Sequence, residues 1–163
     1  MRFFHFTEMP YPYVPDDYYE RYGSARIILP NSLFDPKLAN ELYKRYIDEY
    51  VFASEMGYDL MLNEHHSTMT CIDVSIGVST ASVIQRTTRG RILMLGYIIP
   101  HMNPVKVAEE IAMLDCISGG RILAGFVRGI GMEVHPSNEN PVFNRERFYE
   151  AHDLIKKAWT SRE

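Results

Sequence analysis

The segment 104–127 constrains the fold most strongly, because a helix, a tight turn and an apolar strand follow one another directly. Pro104 suits the first turn of a helix. Apolar residues then recur every three or four positions along one face: Val107, Ala108, Ile111 and Leu114. Gly119 and Gly120 end this helix, and Arg121–Val127 is expected to form a buried strand. A tight helix-to-strand turn of this kind is typical of a parallel sheet.

Three further pairs of strand and helix extend this pattern along the chain. We expect strands at 2–6, 60–63 and 91–99, and helices at 36–56, about 73–86 and 144–159. The segment 73–86 is ambiguous, because its first residues alternate like those of a strand. We interpret it as a helix, since the next parallel strand must be reached through a crossover connection, which is usually helical.

The pattern amounts to about four βα units within 163 residues. A closed (β/α)8 barrel typically takes about 250 residues, so this chain has room for roughly half of one. We therefore expect a single α/β domain over residues 1–163, built as half of a TIM (β/α)8 barrel.

Composition and charge exclude several classes of protein. The formal net charge is −4, and charges of both signs are interspersed, so no basic stripe indicates a nucleic-acid partner. No long uncharged apolar run predicts a membrane span, and the N-terminus does not fit a signal peptide. Cys71 and Cys116 stand in no metal or redox spacing. We interpret both as small buried side chains of a cytoplasmic protein.

The first candidate for a functional site is the end of the second strand. Leu60–Leu62 is apolar, and Glu64, His65 and His66 follow shortly after it. Ligands and catalytic groups gather at the carboxyl ends of strands in parallel α/β folds. Two interpretations stay open for these residues, namely a reactive site or a structural histidine held by a backbone carbonyl.

A second candidate is the end of the fourth strand, where Arg128 precedes Gly129 and Gly131. An arginine beside flexible backbone amides suits a phosphate or a carboxylate. An ordinary turn from strand to loop has the same composition, so this feature alone is a weak indication of a binding site.

The segment 7–34 is rich in proline and tyrosine and has no clear periodicity. Loops of this length inside a compact domain are usually functional lids or binding loops. The alternative is an irregular arm that packs on the outside of the domain, and the residue pattern does not decide between the two.

Five motifs, in this order and at these spacings, resemble those of the bacterial luciferase-like flavin monooxygenases, which are barrel-fold enzymes. They are NEHH at 63–66, PVKVAEEIAMLD at 104–115, ISGGR at 117–121, GFVRG at 125–129 and RERFYEA at 145–151. The resemblance spans nearly the whole chain. It implies that the fold is the N-terminal half of a luciferase-like barrel.

The resemblance also implies roles for individual residues. His65 is expected to be catalytic, holding or moving a proton beside a reduced flavin. Leu95 and Gly96 are expected to form a strained peptide beneath the flavin ring. Val127 is expected close to the reactive flavin carbon, where some members have cysteine. Arg128 is expected to reach the flavin phosphate.

The implied reaction is the oxygenation of a small organic substrate by O2 and a reduced flavin. The flavin would be reduced FMN or, alternatively, the deazaflavin F420, and a partner flavin reductase would supply it in reduced form. The sequence does not identify the substrate.

Family members continue through four more βα units, so we expect this chain to be a truncated half-barrel. A half-barrel alone exposes two sheet edges and an apolar interior, which predicts association into homo- or hetero-oligomers. An alternative function follows from the same expectation: an inactive half-barrel fragment or accessory subunit that only assembles with a partner.

A third hypothesis is a metal-dependent hydrolase, because several histidines fall at or near predicted strand ends. They are His5, His65, His66, His101 and His135. Such a site needs converging ligands, for example a His-x-His on one strand. The first strand offers only His5, so we expect no metal site.

Overall fold

The computed structural model describes residues 1–24, 30–134 and 136–162. The strands in these residues are β1 (Phe4–Phe6), β2 (Asp59–Leu62), β3 (Ile92–Ile98) and β4 (Ile122–Val127). The helices are α1 (Tyr18–Tyr22), α2 (Pro36–Glu55), α3 (Ile76–Arg86), α4 (Pro104–Ser118), α5 (Gly131–Val134) and α6 (Asn144–Thr160). Within the described residues, no helix is both long and apolar enough to cross a membrane.

The four strands form one sheet in the order β1-β2-β3-β4, and every neighbouring pair is parallel. Each crossover contains a helix, namely α2, α3 or α4, as a series of βα units requires. The predicted α/β class with four parallel strands is therefore confirmed. Sequential strands with helical crossovers also bring all four carboxyl ends to one edge of the sheet.

The sheet has one face covered by helices and one apolar face without such cover. On the covered face Leu60 and Ile92 are fully buried, and they pair in the register of β2 with β3. Helix α2 is joined to β2 on this side by Tyr50, whose hydroxyl donates to the carbonyl of Met61 at 2.8 Å. On the other face Phe6 and Leu95 are 38% and 40% exposed. This second face corresponds to the interior of a barrel.

Helix α4 begins and ends where predicted. The side chain of Asn103 accepts hydrogen bonds from the backbone N–H groups of Val105 and Lys106, at 3.0 and 3.1 Å. At the other end Gly119 has a φ of +73°, a left-handed conformation that glycine adopts without strain. The predicted helix Pro104–Ser118 is confirmed.

The predicted start of α3 was three residues too early, since the helix begins at Ile76 rather than at Asp73. The Asp73 carboxylate instead accepts from the Ser75 N–H at 3.2 Å, and Glu64 accepts from the Ile76 N–H at 2.9 Å. A side chain from the end of β2 therefore determines where this helix starts.

The proline- and tyrosine-rich segment contains more structure than its sequence pattern predicts, because α1 and a short 3-10 turn lie within it. Its first part is packed rather than loose. The Tyr11 N–H donates to the Met69 carbonyl at 2.8 Å, and the Ile72 N–H donates to the Met9 carbonyl at 2.9 Å. The Tyr46 hydroxyl of α2 donates to the Pro10 carbonyl at 2.6 Å. This packing agrees with the arm interpretation for the residues before α1.

The two cysteines lie in different environments. Cys71 is buried as predicted, but Cys116 is exposed on α4, so the prediction for Cys116 was wrong. A helical stripe of only four apolar side chains leaves most of the surface of α4 to solvent, and Cys116 falls outside that stripe.

Strands β3 and β4 approach each other closely where their register shifts, between Met94 and Tyr97. A Cβ atom on Gly96 would lie 2.6 Å from the carbonyl oxygen of Gly125. We expect Gly96→Ala to lower the free energy of unfolding by about 1–3 kcal/mol, the usual cost of overpacking. The midpoint of urea unfolding measures this. Gly131→Ala is the control, because a Cβ there meets nothing within 4 Å; equal midpoints for the two variants would contradict the prediction.

Candidate functional site

Three of the predicted site residues lie at the carboxyl edge of the sheet, and the other two lie inside β3. His65 lies just beyond β2, Leu95 and Gly96 lie in β3, Val127 ends β4 and Arg128 follows it. The peptide bond that joins Leu95 to Gly96 is cis. Because one strand separates β2 from β4, the ends of these two strands lie roughly 10 Å apart. A ligand of moderate size can therefore bridge them.

His65 is held by the backbone at two points. Its N–H donates to the Asp73 carbonyl at 3.0 Å, and its ring atom Nδ1 lies 2.5 Å from the Glu64 carbonyl oxygen. A carbonyl can only accept, so Nδ1 carries the hydrogen in this contact. The lone pair is then on Nε2, and this nitrogen is the one able to take up a proton.

Glu64 has a structural role at the start of α3. Its side chain is buried, and Oε2 accepts from the Ile76 N–H while Oε1 lies 3.9 Å from His66 Nε2. Burial raises the pKa of Glu64, and the hydrogen bond from Ile76 opposes this shift. The two histidines thus have different surroundings, as their adjacent positions on an extended backbone predict.

His66 faces a cavity of about 450 Å³ that sequence reasoning missed. Tyr97 and Glu110 line it, and the Tyr97 hydroxyl donates to Glu110 Oε1 at 2.6 Å. Gly77 of α3 makes room for this pair, since a Cβ there would collide with the Glu110 carboxylate. His101 also lines the cavity, and burial lowers its pKa. No short motif reveals this group, because its members come from four separate segments.

A second cavity, of about 510 Å³, lies beside the end of β4. Val127 and Arg128 line it, and Arg145 joins them from the first turn of α6. Two guanidinium groups in one cavity suit an anionic ligand such as a phosphate. The Arg128 carbonyl accepts from Asn144 Nδ2 at 2.9 Å, which ties this loop to α6.

Aromatic rings complete the wall of the 510 Å³ cavity. Phe126, Phe148 and Tyr149 line it, and the guanidinium carbon of Arg145 lies 5.9 Å from the Tyr149 ring centre. Sequence reasoning did not single out Arg145, although it stands in the RERFYEA motif, because the helical pattern alone does not indicate which residue faces the strand.

The structure shows the surroundings of four of the five histidines that were considered as metal ligands. The fifth, His135, lies outside the described residues. His5 packs edge-on against Tyr50, and His66 and His101 belong to the 450 Å³ cavity. His65 instead lies near Glu8 and Cys71, with ligand atoms of all three within 4.8 Å of one another. The residue spacing did not point to this group.

Comparison with known proteins gives a consistent result. A sequence model described as luciferase-like monooxygenase matches residues 26–163. An uncharacterized protein of Sinorhizobium fredii, y4wF, is 31% identical and aligns with 82% of this chain and 42% of its own length. The beta chain of alkanal monooxygenase from Photorhabdus luminescens is 30% identical, over 71% of this chain and 36% of its own. The chain thus spans less than half the length of these relatives.

Solved structures confirm the half-barrel fold. A monooxygenase from Streptomyces bottropensis, RslO1, superposes with a TM-score of 0.72 and 24% identity, over 75% of this chain and 38% of its own. The oxygenating constituent of 3,6-diketocamphane monooxygenase from Pseudomonas putida, solved in complex with FMN, has a TM-score of 0.69 and 23% identity. It covers 77% of this chain and 36% of its own.

Proposed function

The chain belongs to the luciferase-like monooxygenase family, and from this premise we propose that it acts in a flavin-dependent monooxygenase. One atom of O2 enters a small organic substrate, the other leaves as water, and the reduced flavin gives up two electrons and two protons. The observation that carries the proposal is the carboxyl edge of the sheet, where His65 and the cavity of Arg128 and Arg145 lie two strands apart.

The residues present fit a phosphorylated flavin. Arg128 and Arg145 offer paired guanidinium donors for a phosphate. Leu95 and Val127 offer apolar contacts for a flat ring, and Leu95 is 40% exposed on the open face of the sheet. Reduced FMN is the proposed cofactor, in line with the FMN complex of the diketocamphane monooxygenase constituent. F420 is the alternative, since a related dehydrogenase was solved with an F420–acetone adduct.

The chain's own residues then have distinct tasks. Arg128 and Arg145 bind the phosphate, and Leu95 and Val127 exclude water from one side of the ring. His65 holds or transfers a proton at Nε2, while the Glu64 carbonyl fixes the orientation of its ring. The bound flavin supplies the electrons for the reduction of O2.

The names of the relatives support particular partners and a particular substrate class. Relatives are described as alpha and beta chains of alkanal monooxygenase, so we infer that the chain acts within an oligomer and that an aliphatic aldehyde is the first substrate to test. A flavin reductase would supply the reduced flavin. The exposed apolar side chains Phe6 and Leu95 favour the second candidate function, an accessory half-barrel that only assembles with a partner.

FMN binding to the purified protein tests the proposal. Arg128→Ala should weaken FMN binding by about 1.5–3 kcal/mol, the value of a hydrogen bond to a charged group, or roughly 10- to 150-fold in Kd. Riboflavin, which lacks the phosphate, should bind both proteins equally. Titration of flavin fluorescence measures both ligands.

Arg45→Ala is the matched control for this test, because Arg45 is exposed on α2, where it contacts Glu49 and the Tyr46 ring. An unchanged FMN affinity in Arg128→Ala would show that the phosphate binds elsewhere. Absence of any FMN binding by the unsubstituted protein at high micromolar flavin would instead favour the accessory half-barrel.

A further inference from the structure

Three potential metal ligands of different chemistry converge beside His65. Glu8 follows β1, His65 follows β2, and Cys71 lies in the loop before α3. A carboxylate oxygen, an imidazole nitrogen and the thiol sulfur of these residues lie within 4.8 Å of one another. His65 and Cys71 belong to the same loop between β2 and α3, and folding brings Glu8 to them from the segment after β1.

A buried amide contacts all three residues. Asn63 is 5% exposed, and its Nδ2 donates to Glu8 Oε2 at 3.0 Å and lies 3.5 Å from His65 Nδ1. Its Oδ1 lies 4.0 Å from the Cys71 sulfur. This buried side chain therefore holds Glu8 beside His65 and Cys71, as outer partners do around bound metal ions.

We propose that Glu8, His65 and Cys71 bind one divalent metal ion of the zinc type. Sulfur, nitrogen and oxygen ligands in one set suit Zn²⁺ and not the hard cations Mg²⁺ and Ca²⁺, which take oxygen ligands. Three protein ligands leave a fourth, open position for water or another small ligand.

The geometry requires only a small adjustment. Bond lengths to zinc of about 2.0–2.3 Å separate tetrahedral ligand atoms by roughly 3.3–3.8 Å. The atoms of the cluster lie within 4.8 Å of one another. Glu8 is exposed and can close the difference by rotation of its side chain, while Cys71 is 1% exposed and stays fixed.

Such an ion would be coordinated by the His65 imidazole, which the proposed reaction uses for proton transfer. Metal binding and proton transfer by His65 would then exclude each other, so zinc would act as a reversible inhibitor. This consequence rests on the proposed function, whereas the binding of the ion does not, and the two are measured separately.

Titration of the metal-free protein with Co²⁺ tests the site, because a cobalt–thiolate bond gives a charge-transfer band in the near ultraviolet. We expect the band to saturate at one Co²⁺ per chain and to disappear when Zn²⁺ is added. Cys71→Ser should abolish the band, and Cys116→Ser, at the exposed cysteine of α4, should leave it unchanged. A band that survives Cys71→Ser, or no band in the unsubstituted protein, would overturn the proposal.

Calorimetry with Zn²⁺ in buffers of different ionisation enthalpy gives a second readout. Cysteine binds zinc as the thiolate, so the ion must displace the proton of the Cys71 thiol on binding. We expect release of about one proton per ion near pH 7.5.

Two further variants keep the proposal falsifiable if Cys71→Ser fails to fold, one at the exposed ligand Glu8 and one at the buried amide of Asn63. Glu8→Gln, at an exposed side chain, should weaken zinc binding while circular dichroism stays unchanged. Asn63→Ala should weaken it about 10- to 100-fold, as loss of an outer partner does. Unchanged zinc affinity in both variants would overturn the proposal.

Discussion

Replacing His65 by alanine should lower flavin-dependent turnover by about two to four orders of magnitude, the usual contribution of a general acid or base. The hydrogen bond from Nδ1 to the Glu64 carbonyl leaves Nε2 as the nitrogen that exchanges a proton. FMN affinity should stay unchanged, because the proposed phosphate donors lie two strands away, at Arg128 and Arg145. Turnover is measured as formation of oxygenated product with photoreduced FMN and O2, in the assembly that binds FMN.

His66→Ala is the matched control for this substitution. His66 lies next in the chain but faces Glu64 and the 450 Å³ cavity, so its loss should reduce turnover far less. Equal losses for the two variants would indicate a general disturbance of the β2 end rather than proton transfer by His65. Unchanged turnover in His65→Ala would remove this residue from the mechanism.

The elements that could be predicted are those whose limits depend on local chemistry. Helix α4 has its start and end signals within its own sequence, and both limits were predicted, from Pro104 and from Gly119. The start of α3 was missed, because the carboxylate that accepts from its first N–H belongs to Glu64, twelve residues earlier. Helix α1 was missed because five residues are too short for a helical pattern.

The same distinction applies to the candidate site. The positions of His65 and Arg128 follow from the rule that functional groups gather where parallel strands end. Neither Arg145 nor the cluster of Glu8 and Cys71 could be predicted in this way, since their proximity depends on how α6 and two loops pack against strand ends. Spacing along a chain does not encode such contacts.

Asp73 should make the stability of the fold depend on pH, because its carboxylate is buried with little to neutralise it. It is 4% exposed, and its Oδ2 has no hydrogen-bond partner among the described residues. Burial raises the pKa of Asp73 to about 6, against the lowering effect of the nearby Ser79 hydroxyl and of the hydrogen bond from the Ser75 N–H. Of the nearby charges, Glu64 raises the pKa further and His66 lowers it.

Because its pKa is raised in the folded state, Asp73 lowers the stability of the protein as the pH rises. The folded state holds the Asp73 proton to higher pH than the unfolded state, so stability from this group is full at acid pH and falls as the pH rises towards 6. The expected loss is about 3 kcal/mol, since one pKa unit corresponds to about 1.4 kcal/mol. Asp73→Asn cannot ionise and should avoid this loss.

The measurement is therefore the difference in melting temperature between Asp73→Asn and the unsubstituted protein, at pH 4 and at pH 7.5. We expect the difference to shift by roughly 6–12 °C in favour of the variant as the pH rises. Asp59→Asn should behave oppositely, because hydrogen bonds from the Arg91 backbone and guanidinium outweigh the effect of burial and lower the pKa of Asp59. Its charged carboxylate stabilises the fold at pH 7.5, so that variant should melt lower there. Parallel pH profiles for Asp73→Asn and the unsubstituted protein would mean that Asp73 ionises as freely in the folded state as in the unfolded one.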